Sequence, residues 1–160
     1  MKKVFIIIIL LGITYLLGAK ISSKVIYRQV EKEVILDNLT AKINELKGKL
    51  VSDLKQCESG GVSEDRALIV FDPHPTNKKV QIPSIGNYQF KVSTVQFYYN
   101  KFYSQVLTNK ESVLIALDDE KAGKLASDII FRDGALGNWY NCSKKMGLEN
   151  QLKIIRELEK

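Results

Sequence analysis

Histidine occurs once in this chain of 160 residues, tryptophan once, cysteine twice and proline three times. The lone histidine, His74, lies between Pro73 and Pro75, and no other metal-ligating side chains cluster around it in sequence, so a histidine-based metal centre has no support. A glycine-rich phosphate loop is missing, as are internal repeats and low-complexity tracts. Proline is absent from Ser22 to Gln56, so this charged, periodic stretch reads as one long helix or as two helices broken near Gly48. Residues 1–19 differ sharply in composition from the rest, which leaves room for one compact domain of ordinary size. No cofactor is expected.

Lys2 and Lys3 precede the apolar run from Val4 to Ala19, the layout of an export signal or a short membrane anchor. Small side chains favour cleavage near Ala19, but Leu16 and Leu17 stand where such sites need small residues, so an uncleaved anchor is expected. Basic residues flank the run on both sides, with Lys20, Lys24 and Arg28 following it, and the charge rule therefore fixes no orientation. The formal net charge of +6 suits an anionic polymer such as cell wall, but also nucleic acid or lipid headgroups, and selects no partner alone. An exported chain with an even cysteine count favours a pair over two buried thiols. Pairing Cys57 with Cys142 closes a loop spanning 85 positions, for which the chain-entropy estimate is about 4 to 5 kcal/mol.

The expected fold is α+β, mainly α: an N-terminal signal or anchor over 1–19, a helical spacer over 20–40 and one compact domain over 41–160. Val30, Val34 and Ile35 give the spacer an apolar side on which a short self-association through a helical stalk is conceivable. Ala67 to Phe71 is strand-like, Asp72 to Asn77 is turn-rich, and Lys79 to Ile82 returns as a second strand. Helices are expected at Val92 to Ser104, Lys110 to Leu117, Glu120 to Arg132, Asn138 to Lys145 and Glu149 to Glu159.

Within this frame Gln56-Cys57-Glu58-Ser59-Gly60-Gly61 stands out. Leu39, Ile43, Leu46, Leu50 and Leu54 recur at spacings of three and four and lead one helical face into it, and the two glycines stop the helix. A carboxylate at that end faces the negative pole of the helix dipole and, if half-buried, loses hydration, and both effects favour its protonated form. General acid catalysis at neutral pH needs such a proton, which makes Glu58 the candidate acid. A solvated glutamate in a helix cap is the alternative reading.

Read together and in order, Cys57-Glu58-Ser59-Gly60-Gly61, Gly86-Asn87-Tyr88-Gln89-Phe90, Ser93-Thr94 and Trp139-Tyr140-Asn141-Cys142 resemble a lysozyme-like peptidoglycan-cleaving domain. The first block is similar to the catalytic motif of resuscitation-promoting factors and soluble lytic transglycosylases, where a Glu followed by Ser closes a helix. The second is similar to the transglycosylase pattern Gly-x-x-Gln followed by Ser-Thr, which lines the glycan groove, and Gln89 and Thr94 match it. Tyr140-Asn141 resembles the third transglycosylase motif, whereas Trp139 and Cys142 are more like the Trp-x-x-Cys of resuscitation-promoting factors. The resemblance implies a Cys57 to Cys142 disulfide and spans roughly residues 43–147. Asn87, Tyr88 and Cys142 depart from the transglycosylase pattern, and 66–83 matches neither family.

The resemblance further implies cleavage of the β-1,4 bond between N-acetylmuramic acid and N-acetylglucosamine, with Glu58 as acid and then base and a 1,6-anhydro product. Gln89, Thr94, Tyr140, Asn141, Trp139 and Tyr88 are the implied substrate-binding residues. For several of them a structural role competes: Thr94 as a helix cap, Tyr140 as a core aromatic, Trp139 as core packing rather than a sugar platform. A lysozyme-type hydrolase, the alternative within the enzyme class, needs a second carboxylate about 5 or 6.5–9.5 Å from the first. Asp72 is the best candidate, but an Asp before Pro73 reads first as a turn residue. A non-catalytic, membrane-anchored scaffold that binds cell wall is the alternative outside it. The implied partners are glycan strands and, through the N-terminal segment, a membrane on whose outer side the domain works, or secretion if the segment is cleaved. Nucleic acid is not expected.

Overall fold

The computed structural model describes residues 23–60, 69–74 and 76–160. The expected anchor over 1–19, Gly61 and the first residues of the expected strand at Ala67 and Leu68 lie outside them. The chain divides into two compact units, Met1–Lys42 and Ile43–Lys160. In order the elements are α1 (Ser23–Ser59), β1 (Ile69–Pro73), β2 (Gln81–Ile85), α2 (Val92–Tyr103), α3 (Asn109–Leu117), α4 (Asp119–Asp133), a 3₁₀ turn (Leu136–Trp139), α5 (Tyr140–Met146) and α6 (Leu148–Leu158). The protein is thus mainly helical with one two-stranded antiparallel sheet. No helix among the described residues is long and apolar enough to cross a membrane.

Of the two readings of the proline-free stretch, the single helix holds: α1 is one α-helix and Gly48 sits exposed within it. In the first unit its side chains Val30, Val34, Ile35 and Leu36 are exposed. In the second, Leu50 and Leu54 are fully buried, with Ile43, Leu46 and Val51 packed at the edge of the same core. Gly60, at φ +62°, follows the last helical residue in the left-handed conformation that glycine adopts without a Cβ clash.

The core is built on α4. Ala122, Leu125, Ala126, Ile129 and Ile130 recur at helical spacing, and all five are fully buried. The Asp118 side chain caps the N-terminus by accepting from the Lys121 amide at 3.0 Å. Gly134 ends the helix at φ +69°. A reciprocal capping box between Thr108 and Glu111 starts α3. Helix α6 buries Leu148, Leu152 and Ile155, and is tied to α1 by Lys47 to Glu159 at 2.5 Å and by Gln151 to Asp53 at 3.2 Å.

Two elements depart from expectation. The strands fall slightly further along the chain than Ala67–Phe71 and Lys79–Ile82, so that Asp72 and Pro73 belong to β1 rather than to the turn. Pro73 is compatible with a strand here because a two-stranded sheet consists only of edges, where a missing amide donor is tolerated. The helix expected from Asn138 to Lys145 is divided: a 3₁₀ turn runs to Trp139, whose backbone leaves helical values at φ −126°, ψ 47°, and α5 starts at Tyr140. The turn of the hairpin is organised by His74, whose Nδ1 accepts from the amides of Thr76 at 3.2 Å and Asn77 at 3.3 Å.

Candidate active site

Glu58 is the penultimate residue of α1 and is half-buried. Burial pushes its carboxyl pKa up from the ordinary value, and the negative charge of Asp72 on β1 pushes it further in the same direction. Asp72 is held from the other strand, where the buried Ser84 donates its hydroxyl to Oδ2. The register places Val70 opposite Ser84 and Asp72 opposite Ile82. The sequence treated Asp72 as a turn former; its strand position and its electrostatic reach to Glu58 depend on pairing across the hairpin.

A disulfide joins Cys57 to Cys142, with the Cα atoms 5.8 Å apart. It fastens the residue preceding Glu58 to the first turn of α5. Tyr140 and Asn141, the two residues before Cys142, are therefore carried to the neighbourhood of the carboxylate-bearing helix end. Both are exposed, Tyr140 by 65%, and the Tyr140 hydroxyl has no hydrogen-bond partner among the described residues. Tyr140 thus occupies the surface, in contrast to the core position that was its structural alternative.

The Gly86–Gln89 segment is a tight loop closed by reciprocal backbone bonds of 2.9 Å between Ile85 and Phe90. Gly86 has φ +74°, and a Cβ there would lie 1.8 Å from the carbonyl oxygen of Ala116. Gln89 adopts φ +50°, a region that residues with a Cβ seldom enter and that is over-represented at binding sites. Its Nε2 donates to the Gly86 carbonyl at 2.8 Å, which turns the amide back onto its own loop and leaves Oε1 as the free acceptor. Asn87 donates to Asp119 at 3.0 Å, and the other oxygen of Asp119 takes Lys55 of α1 at 2.8 Å. Asp119 thereby links the loop to the turn of α1 that precedes Glu58. Gly86→Ala is expected to destabilise the fold by about 3 kcal/mol or more, through the clash and the left-handed backbone together. Urea denaturation reads this directly, and a wild-type midpoint would contradict it.

The remaining implied residues separate into two groups. Gln89, Thr94 and Trp139 line a common cavity of about 240 Å³ together with Lys91 and Asn138. Trp139 contributes its edge only, because the side chain is 3% exposed, packs edge-on against Phe90 at 5.4 Å and donates Nε1 to the Tyr88 carbonyl at 2.7 Å. It lies on the core side of the two roles open to it. Tyr88 is also buried, with its hydroxyl over Gly123, and it does not line this cavity. Thr94 makes no side-chain cap for α2, whose N-cap is Lys91. Lys91 and Asn138 were missed by sequence reading; each adjoins a motif residue by one or two positions, which was the available signal. The aromatic run Tyr98, Tyr99, Phe102 and Tyr103 packs on or against the core as its helical spacing suggests. Among the described residues no group of acidic, His or Cys side chains is arranged to hold a metal ion.

Comparison of the chain with family models, curated proteins and solved structures gives no match.

Proposed function

We propose that the chain is a peptidoglycan lytic transglycosylase with a lysozyme-like domain, held at a membrane by its N-terminal segment with the domain on the outer side. The observation that carries this reading is a half-buried Glu58 with a raised pKa at a helix end, disulfide-linked to the helix that bears Tyr140 and Asn141. Glu58 gives its proton to the glycosidic oxygen as the bond to the muramic C1 breaks and positive charge builds on that sugar. The C6 hydroxyl of the same sugar then bonds to C1, and its proton returns to the Glu58 carboxylate. One carboxylate serves both steps, and the product ends in a 1,6-anhydro ring. Gln89, Thr94 and their cavity supply polar contacts for an N-acetylated sugar.

Asp72 favours a second reading, a lysozyme-type hydrolase, because it is the carboxylate whose charge reaches Glu58. The two readings part in the Asp72→Asn variant, assayed as muropeptide release from purified glycan strands over a pH series. Glu58 must start protonated, so activity falls as pH rises through its pKa, and the raised pKa sets that alkaline limb above the ordinary glutamate value of 4.5. If Asp72 only tunes Glu58, removing its charge lowers that pKa and moves the limb to lower pH, with the maximal rate kept within about tenfold. A loss of about a hundredfold or more at every pH assigns Asp72 to the chemistry and favours the hydrolase.

A further inference from the structure

Side chains alternate between the two faces of a strand, and the register of the hairpin sets Val70 opposite Ser84 and Asp72 opposite Ile82, so these four share one face. Ser84 stands diagonal to Asp72 on that face and donates its hydroxyl to Oδ2. The two partners are held very differently. Ser84 is 3% exposed on β2, the strand that lies against α2 and α3, whereas Asp72 is half-buried on β1, where Val70 and Phe71 are exposed by 44% and 59%. Packing along β1 therefore does little to fix the Asp72 side chain, whose two torsions leave several rotamers open. A buried hydroxyl needs a partner, but not a charged one. The equally buried Ser112, for instance, bonds the Thr108 carbonyl at the start of its own helix. Ser84 instead reaches a carboxylate on the opposite strand. Among the described residues no lysine or arginine pairs with Asp72, so the charge that this bond places is not neutralised locally.

We propose that Ser84 is a positioning residue of the active site, its hydroxyl anchoring the Asp72 carboxylate to the helical body of the domain so that its charge bears on Glu58 from one fixed place. The role rests on the muralytic reading only in making Glu58 the acid of a reaction; the linkage from Ser84 through Asp72 to Glu58 does not. Without the hydroxyl the carboxylate is free to swing to solvent, where water and salt screen its charge. Of the two causes that raise the Glu58 pKa, burial, the larger, then remains, and the Asp72 charge weakens. The Glu58 pKa accordingly falls in Ser84→Ala, in the direction expected for Asp72→Asn and by no more, and stays above the ordinary value of 4.5. The alkaline limb of muropeptide release, set by the protonated form of Glu58, moves to lower pH with it.

The test is a pH titration of the Glu58 carboxyl carbon by NMR on the full chain in detergent micelles, with muropeptide release from purified strands followed over the same pH series. The resonance is identified by its absence from Glu58→Gln. Wild type, Ser84→Ala, Asp72→Asn and the double variant form a cycle. A lower Glu58 midpoint is expected in Ser84→Ala, and no further shift when Ser84→Ala is added to Asp72→Asn, since the charge to be positioned is then gone. An unchanged midpoint in Ser84→Ala, or the same shift in both backgrounds, overturns the proposal, the second because Ser84 would then act through packing alone. A measurement on wild type keeps the proposal testable even where Ser84→Ala fails to fold. The β-proton couplings of Asp72 are expected to report a single rotamer, and averaging over several overturns the role. A Glu58 shift that follows the cycle in a protein releasing no muropeptide would refute the muralytic reading and leave the linkage standing. Release by wild type with the Glu58 midpoint unmoved in Ser84→Ala refutes this inference alone.

Discussion

Glu58→Gln is expected to lower muropeptide release from purified peptidoglycan by about ten-thousand-fold, the upper end of what one general acid contributes, because in the proposed mechanism the same carboxylate serves both half-reactions. Glutamine fills the same volume and keeps a hydrogen-bonding head, so the fold is retained. Its stability supplies a control with a defined sign. The folded-state pKa of Glu58 is raised, so between the ordinary value of 4.5 and the raised one the folded protein binds more protons than the unfolded chain. Stability therefore falls as pH rises through that window. The uncharged variant escapes this loss: it is expected to be more stable than wild type at neutral pH, with the gap closing below the ordinary glutamate value. An inactive variant that also unfolds at neutral pH would say nothing for catalysis, whereas an active one removes Glu58 from the mechanism.

The second large effect concerns the disulfide. Replacing both Cys57 and Cys142 by serine releases a loop spanning 85 positions, and the expected loss is about 3 to 4 kcal/mol, below the chain-entropy figure because residual structure in the unfolded chain reduces it. Denaturation by urea with a lower midpoint and a steeper slope is the expected record, because the denatured chain without the cross-link is more expanded and exposes more surface. Activity should fall further than the folded fraction, since the bond is also what keeps Tyr140 and Asn141 beside the helix end that carries Glu58. A destabilisation under about 1 kcal/mol, or full activity in the folded variant, would contradict this double role.

Sequence resolved the helices well where local chemistry marks their ends. The helices expected at Lys110 to Leu117 and Glu120 to Arg132 coincide with α3 and α4, whose ends the Thr108 and Glu111 pair, Asp118 and Gly134 mark in the structure. The helix-end position of Glu58 was legible for the same reason, with Gly60 following the last residue of α1. What could not be read locally depends on contacts between distant segments. Asp72 looked like a turn residue because it precedes Pro73; its place in β1 follows from pairing with Ile82 and from the Ser84 hydroxyl. Trp139 carries two readings in the sequence, and its indole, donating to the Tyr88 carbonyl, sits on the core side of them.

The mass of the released muropeptides tests the proposed reaction most directly. Purified glycan strands digested by the full chain should yield fragments ending in 1,6-anhydromuramic acid, each lighter by one water than its hydrolysed counterpart, and none from the Glu58→Gln variant. Fragments with reducing muramic ends, or no fragments from wild-type protein that nonetheless binds the strands, would contradict it.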